Sequence, residues 1–297
     1  MSTHFFARVR PIALALPFVL LAVSCSSSTD ANHGAAMTAT TAASNAAPGA
    51  ANTTADAMAG MDHGGMEMTP VVGDGTAPAA GGYTLAVKSQ LVVGSNTLTF
   101  TINGPQGSPI TDAVVEQTKK LHLIIARSDL TGYQHVHPEV ATDGLWSVPV
   151  TLVAGGTYRV IADLTPVKGT RVVLGADVVV GGAGQDRPLP APANTAKVDQ
   201  YQVVMSGSLM AKASKLQFVI NKDGTPVSDV TEYLGAGGHL VALKDGTLAY
   251  THLHPNGPAG ANLTFESNAM APGSYRLFLQ FATGSQVHTA EFTVIVA

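Results

Sequence analysis

From Tyr83 onward the chain is a succession of short runs in which apolar and polar residues alternate, broken by glycine, proline and Asx turns. Leu98, Phe100 and Ile102 alternate with Thr97, Thr99 and Thr101, and Leu85 and Val87 alternate with threonine and lysine. This is the period of a half-buried strand. Asn103-Gly104-Pro105 and Gly107-Ser108-Pro109 read as turns. Further strands are expected over 146–152, over 157–164 after the Gly155-Gly156 turn, and over 172–180. No long segment keeps a helical period, so the pattern is all β.

The pattern then occurs a second time. Tyr201 matches Tyr83, Leu216-Gln217-Phe218-Val219-Ile220-Asn221 matches Leu98-Thr99-Phe100-Thr101-Ile102-Asn103, and Gly273-Ser274-Tyr275-Arg276 matches Gly156-Thr157-Tyr158-Arg159. Pro226 and Asp229 likewise match Pro109 and Asp112. About seven short strands per repeat, with turns every 8–12 residues, predict two tandem homologous Ig-like β-sandwich domains. The boundaries expected are 82–181 and 200–297, joined by the Pro/Gly-rich linker 182–199.

Each repeat carries one polar interruption that strand-forming does not require. His122, His135, His137 and Pro138 recur as His239, His252, His254 and Pro255 at a constant offset of 117, with Tyr133 and Tyr250 in the same register. In the second copy Asp245-Gly246, set between apolar runs, predicts a tight two-residue turn. That turn pairs Leu243 with Leu248, Val241 with Tyr250 and His239 with His252, and His254 lies two residues on, facing the same way. In the first copy a looser loop, Ser128 to Gly132, leaves His122 opposite either His135 or His137. In every register three imidazoles converge at the open end of a hairpin.

Composition bounds the chemistry. Charged residues make up 12% of the 297 residues and the net charge is −4, with no basic stripe, which argues against a nucleic-acid partner. Arg8 and Arg10 precede an apolar stretch over 11–23 that is too short for a good membrane span, so residues 1–24 read as an export signal. It ends in Leu21-Ala22-Val23-Ser24-Cys25 and resembles a bacterial lipoprotein signal, which implies lipidation of Cys25 and an anchor on the extracytoplasmic side of the cell membrane. Cys25 is the sole cysteine, so no intrachain disulfide is possible.

Residues 25–81 are rich in Ala, Thr and Gly and are expected to form a flexible tether. Within it Met58, Met61, His63, Met66 and Met68 cluster in eleven residues. Thioether sulfur suits Cu(I) and imidazole suits either copper state, so the cluster is a candidate for metal capture. It resembles the Met/His-rich stretches of exported copper-handling proteins.

Three neutral imidazoles on one sheet face suit Cu(II), Zn(II) or Ni(II) and leave a position open. The plainer reading is that they are buried and hydrogen-bonded at the end of the sandwich core. His288, in the last strand, is a further candidate ligand, with a simple surface position as its alternative. A cupin-like oxygenase would need a glutamate several residues after H-x-H, but Glu139 follows His137 by two and Asn256 stands there in the second copy. No G-x-S-x-G or H-E-x-x-H occurs, and a blue-copper site needs a cysteine in the folded domains. The expectation is therefore a binding protein, not an enzyme.

As a whole the chain resembles an exported lipoprotein carrying tandem CopC/YtkA-type β-sandwiches. The resemblance implies copper, with zinc as the alternative, held for buffering, resistance or delivery to a copper transporter or another metal-handling protein. It fixes no ligand, because the CopC ligand arrangement is not matched here residue by residue. The competing expectation is a structural or adhesive Ig-like cell-surface lipoprotein whose histidines only pack.

Overall fold

The computed structural model describes residues 70–297, and among them every regular element is a strand. Cys25, Met58, Met61, His63, Met66 and Met68 lie outside the described residues.

The first repeat contains β1 (Val71–Val72), β2 (Ala79–Ala80), β3 (Tyr83–Val87), β4 (Gly94–Asn103), β5 (His122–Arg127), β6 (Gln134–Val136), β7 (Glu139–Val140), β8 (Leu145–Leu152), β9 (Gly156–Leu164) and β10 (Arg171–Val180). The second contains β11 (Thr195–Val198), β12 (Tyr201–Gly207), β13 (Ser214–Lys222), β14 (Thr225–Pro226), β15 (Val230–Thr231), β16 (His239–Lys244), β17 (Tyr250–Leu253), β18 (Asn262–Ser267), β19 (Gly273–Thr283) and β20 (Gln286–Val296). In the first repeat the sheets run β2-β3-β4-β8-β7 and β1-β10-β9-β5-β6. In the second, β11-β12-β13 continues through β18, and β17-β16-β19 continues through β20. The two repeats share one topology, an Ig-like sandwich.

Alternation explains the packing. Leu98, Phe100 and Ile102 point from β4 into the first core, where Trp146 lies parallel to Phe100 with ring centroids 6.3 Å apart. Phe218, Phe265 and Phe292 fill the second. Each repeat carries a tyrosine corner, a device of Ig-like folds. The Tyr158 hydroxyl donates to the Ala154 carbonyl at 2.9 Å, and Tyr275 donates to Ala271 at 2.8 Å. Both corners sit on the Gly-x-Tyr-Arg match seen in the sequence.

Two boundaries differ from expectation. The ordered part of the first repeat begins before residue 82, because Val71–Val72 pairs in parallel with β10 and Ala79–Ala80 pairs with β3. The chain between them lies close on β10. Gly175 is required there, since a Cβ at that position would collide with the Gly75 carbonyl oxygen. The linker also ends early, because Thr195–Val198 pairs with β12 across its whole length. Periodicity over two to four residues is too short to signal such strands, and their pairing comes from neighbours distant in sequence.

A third apolar cluster decides the arrangement. Ile124, Ala126, Ile161 and Val173 of the first repeat pack with Val241, Leu243, Tyr250 and Phe278 of the second. These are the outward faces of the two hairpin-bearing sheets. β5 is buried at all six residues because Leu123 and Ile125 face its own sandwich core while Ile124 and Ala126 face the other repeat. Tyr133 stacks on Phe278 across this interface, with ring centroids 3.9 Å apart and planes 5° from parallel.

Candidate metal centre

The histidines take the outward, domain-facing parity of their strands. His122 shares its face with Ile124 and Ala126, and His239 shares its face with Val241 and Leu243. The first hairpin pairs Ile124 with His135 and Leu123 with Val136, so one further step sets His122 opposite His137. The second pairs Val241 with His252 and Leu243 with Tyr250, so His239 stands opposite His254.

The expected two-residue Asp245-Gly246 turn is therefore replaced by a longer one. Leu248 N–H reaches back to the Lys244 carbonyl at 2.8 Å, and Leu248 takes a left-handed φ of 54°. Burial of Leu248 in the interface cluster favours this loop over the tight turn. The resulting shift is two residues. It changes which histidines oppose and leaves their face unchanged, because side-chain direction repeats every two residues.

His122, His135 and His137 form one group whose candidate ligand nitrogens all lie within 4.8 Å of one another, and His239, His252 and His254 form a second. Proton positions follow from the outer partners. His122 Nε2 donates to the Glu116 carbonyl at 3.1 Å and His239 Nε2 donates to the Tyr233 carbonyl at 2.9 Å. A carbonyl only accepts, so in a neutral ring the Nδ1 of each is a bare lone pair. His135 Nδ1 donates to Gln280 Oε1 at 2.8 Å, which leaves its Nε2 bare, whereas His252 Nδ1 lies 3.8 Å from the Asp163 carboxylate, beyond hydrogen-bond distance.

In the first repeat the bare nitrogens face each other, and the equivalent pair of the second repeat is as close. His122 Nδ1 and His135 Nε2 are 3.0 Å apart, and His239 Nδ1 and His252 Nε2 are 3.1 Å apart. The third member of each group, His137 Nε2 or His254 Nε2, is buried with no hydrogen-bond partner. Two opposed lone pairs repel unless something electron-poor lies between them. Two nitrogens bound to one ion at about 2.0–2.1 Å are separated by about 2.9 Å at a right angle and about 3.4 Å at the tetrahedral angle. The residues therefore fit a three-imidazole metal site in each repeat.

Burial, followed by the neighbouring His252, lowers His122 to about 4. Burial likewise lowers His137 to about 3, His239 to about 3 and His254 to about 2, and holds His135 well below the ordinary histidine range. Neutral imidazole is the ligand form. Burial by itself would raise the Asp163 carboxyl, but hydrogen bonds from Arg171, with the His252 ring nearby, outweigh it and hold the group low. Arg171 grips it through Nε at 2.8 Å and Nη2 at 2.6 Å, and the Tyr250 hydroxyl of the other repeat donates to it at 2.9 Å. His122, His252 and His254 line one cleft of about 310 Å³, together with Glu116, Gln117, Asp163 and Arg171.

His288 is neither a ligand nor a surface residue. It is buried, its Nδ1 bonds Asp199 at 2.6 Å, and its Nε2 meets the Thr283 hydroxyl at 2.9 Å. The offset between repeats changes here. Phe281 pairs with His288 where Leu164 pairs with Val172, an offset of 116 instead of 117. The one-residue slip turns His288 toward its own core, against Tyr201 and Phe281.

Sequence reasoning passed over Asp163, Arg171 and Gln280. The visible signal was a lone polar residue in each apolar run, Val160-Ile161-Ala162-Asp163-Leu164 and Leu277-Phe278-Leu279-Gln280-Phe281. Both stand directly opposite the first histidine of their own repeat, Asp163 against His122 and Gln280 against His239.

Fold and site together define a duplicated Ig-like β-sandwich protein with a histidine-rich interface between its repeats. Residues 78–181 and 196–297 each match the family described as "Domain of unknown function (DUF8832)", and the chain belongs to that family. No curated protein matches it. Similar solved structures include the tetra-tandem repeat of a large adhesion protein, with 11% identity, 72% of this chain and 49% of that chain covered, and a TM-score of 0.25. The bacterial integrin-binding protein invasin has 13% identity, coverage of 71% and 39%, and a TM-score of 0.22. The Ig1-2 module of the Drosophila receptor tyrosine phosphatase DLAR has 10% identity, coverage of 72% and 98%, and a TM-score of 0.20. The chain spans about half the length of the first of these.

Proposed function

We propose that this chain is an extracytoplasmic metal-binding protein, anchored through lipidated Cys25, that holds copper, with zinc as the alternative ion. Its role is buffering, resistance, or delivery to a copper transporter or another metal-handling protein, without catalysis of its own. Met58, Met61, His63, Met66 and Met68 of the tether capture the ion weakly, and His122/His135/His137 and His239/His252/His254 retain it. One observation carries the reading. In both repeats two imidazole nitrogens face each other, at 3.0 and 3.1 Å, beside a third buried ring nitrogen that has no partner.

The test is metal content and calorimetric titration of residues 70–297. About two equivalents of copper or zinc are expected, and they should be lost in the His135→Ala/His252→Ala variant. The competing reading, a structural or adhesive Ig-like protein, predicts that this variant melts lower with no dependence on metal. Binding that appears only when the tether is restored would assign the function to the tether and reduce the hairpins to architecture.

A further inference from the structure

The two groups of three sit close together. Across the domain interface the ring centroids of His122 and His252 are 5.2 Å apart, those of His135 and His252 5.3 Å, those of His135 and His239 5.8 Å, and those of His122 and His239 6.3 Å. The outer supports also cross. His135 of the first repeat bonds Gln280 of the second, and His252 of the second faces Asp163 of the first. Gln280 and Asp163 are equivalent positions at the offset of 117, so the contacts are related by an approximate twofold axis through the cluster. A single cleft touches His122 of one group and His252 and His254 of the other.

Resting on the metal-binding reading above, we infer that the six histidines form one coupled two-ion centre that the domain interface assembles. An ion bound to an imidazole nitrogen lies about 3.2 Å from that ring's centroid. With His122 and His252 rings 5.2 Å apart, the two ions cannot be farther apart than about 12 Å, a bound that follows from the same bond length. At that range, inside a buried cluster, their charges interact with little screening. The repulsion scales with the product of the charges, so it is four times larger for two dications than for two monocations. The ligands are neutral, and of the two carboxylates at the cleft Asp163 is already paired with Arg171, which leaves the single charge of Glu116 against two dications. The first dication therefore weakens the binding of the second, whereas a pair of Cu(I) ions fills the centre with a much smaller penalty.

The experiment titrates the full chain with Zn(II) by calorimetry, with the His135→Ala/His252→Ala variant as the blank for the tether. Two steps are expected, the second at least tenfold weaker than the statistical factor of four allows. The His137→Ala and His254→Ala variants, each impairing one group, should show one step and no second, weaker one from the intact group. Cu(I) titrated under a competing chelator should fill both positions with a smaller gap. Steps that differ only by the statistical factor, or a tighter second step, overturn the coupling. Absence of binding in every protein overturns the metal-binding reading as well, which keeps the two failures distinct.

Two further measurements avoid reliance on those variants. Cu(II) at two equivalents on the unmodified chain should give a dipole-broadened electron paramagnetic resonance spectrum; two sharp isolated signals would sink the short separation. In the His254→Ala background, Gln280→Ala should lower the remaining site's affinity about tenfold, although Gln280 belongs to the other repeat. An unchanged affinity removes the cross-domain support.

Discussion

At the residue scale the informative atoms are ring nitrogens. His122 and His239 are locked into one tautomer by backbone carbonyls, and each presents its Nδ1 lone pair to a ring nitrogen of its own repeat. Stability should follow pH accordingly. A base held below its unfolded value binds fewer protons in the folded state, so stability is intact above about 6.5 and is lost as pH falls. Each such histidine contributes a loss of about 1 kcal/mol over the first unit below 6.5. Five histidines are held low here, His254 among them to about 2. Their combined loss, roughly 5 kcal/mol, approaches the stability of an ordinary domain. Urea midpoints of the metal-free protein should fall steeply between pH 6.5 and 5.5, and a flat profile would contradict neutral burial. Arg171→Ala should cost about 3–5 kcal/mol in the same assay, because Asp163 would remain buried without its charge partner.

The histidine motif was legible because duplication repeated it at a constant spacing. Asp163 and Gln280 were visible only as polar residues in apolar strands. Their partners, His252 and His135, lie in the opposite repeat, and no local spacing rule links them.

At the scale of the element, β5 and β16 carry the design. Apolar residues at consecutive positions mean burial on both faces, and the second face is the other repeat. Phe278 is fully buried at that face beneath Tyr133, so Phe278→Ala should destabilise by about 3–5 kcal/mol. It should also lower metal affinity without touching a ligand, which chemical denaturation and titration of one sample would establish together. The two-residue error in the predicted second hairpin was harmless for the same reason that the one-residue slip at His288 was decisive. Parity, not register as such, sets the face.

For the whole molecule, the shared cluster of Ile124, Ile161, Val241 and Phe278 couples the repeats. Residues 70–297 should unfold in one calorimetric transition, and two separated transitions would show the repeats to be energetically independent. Metal adds to this. Free ion at about a hundredfold over Kd stabilises by about 2.7 kcal/mol, which for a chain of this size raises Tm by roughly 5–10 °C. A chelator should reverse the rise, and the His135→Ala/His252→Ala variant, which impairs both groups, should remove most of it. Differential scanning fluorimetry with and without metal reads both.

What the sequence determined by itself is what repeats locally. The strand period, the Gly-x-Tyr-Arg corners and the three-histidine hairpin recur in both halves, and with them come the all-β duplicated fold and a convergent imidazole face. What the tertiary structure alone decided is the docking of one outward face on the other. That docking depends on apolar residues whose contacts lie more than a hundred positions away. It brought two groups of three histidines into one buried cluster and turned Asp163 and Gln280 into supports for histidines of the opposite repeat. Side-chain alternation states which residues share a face; only burial against a second surface states what that face meets.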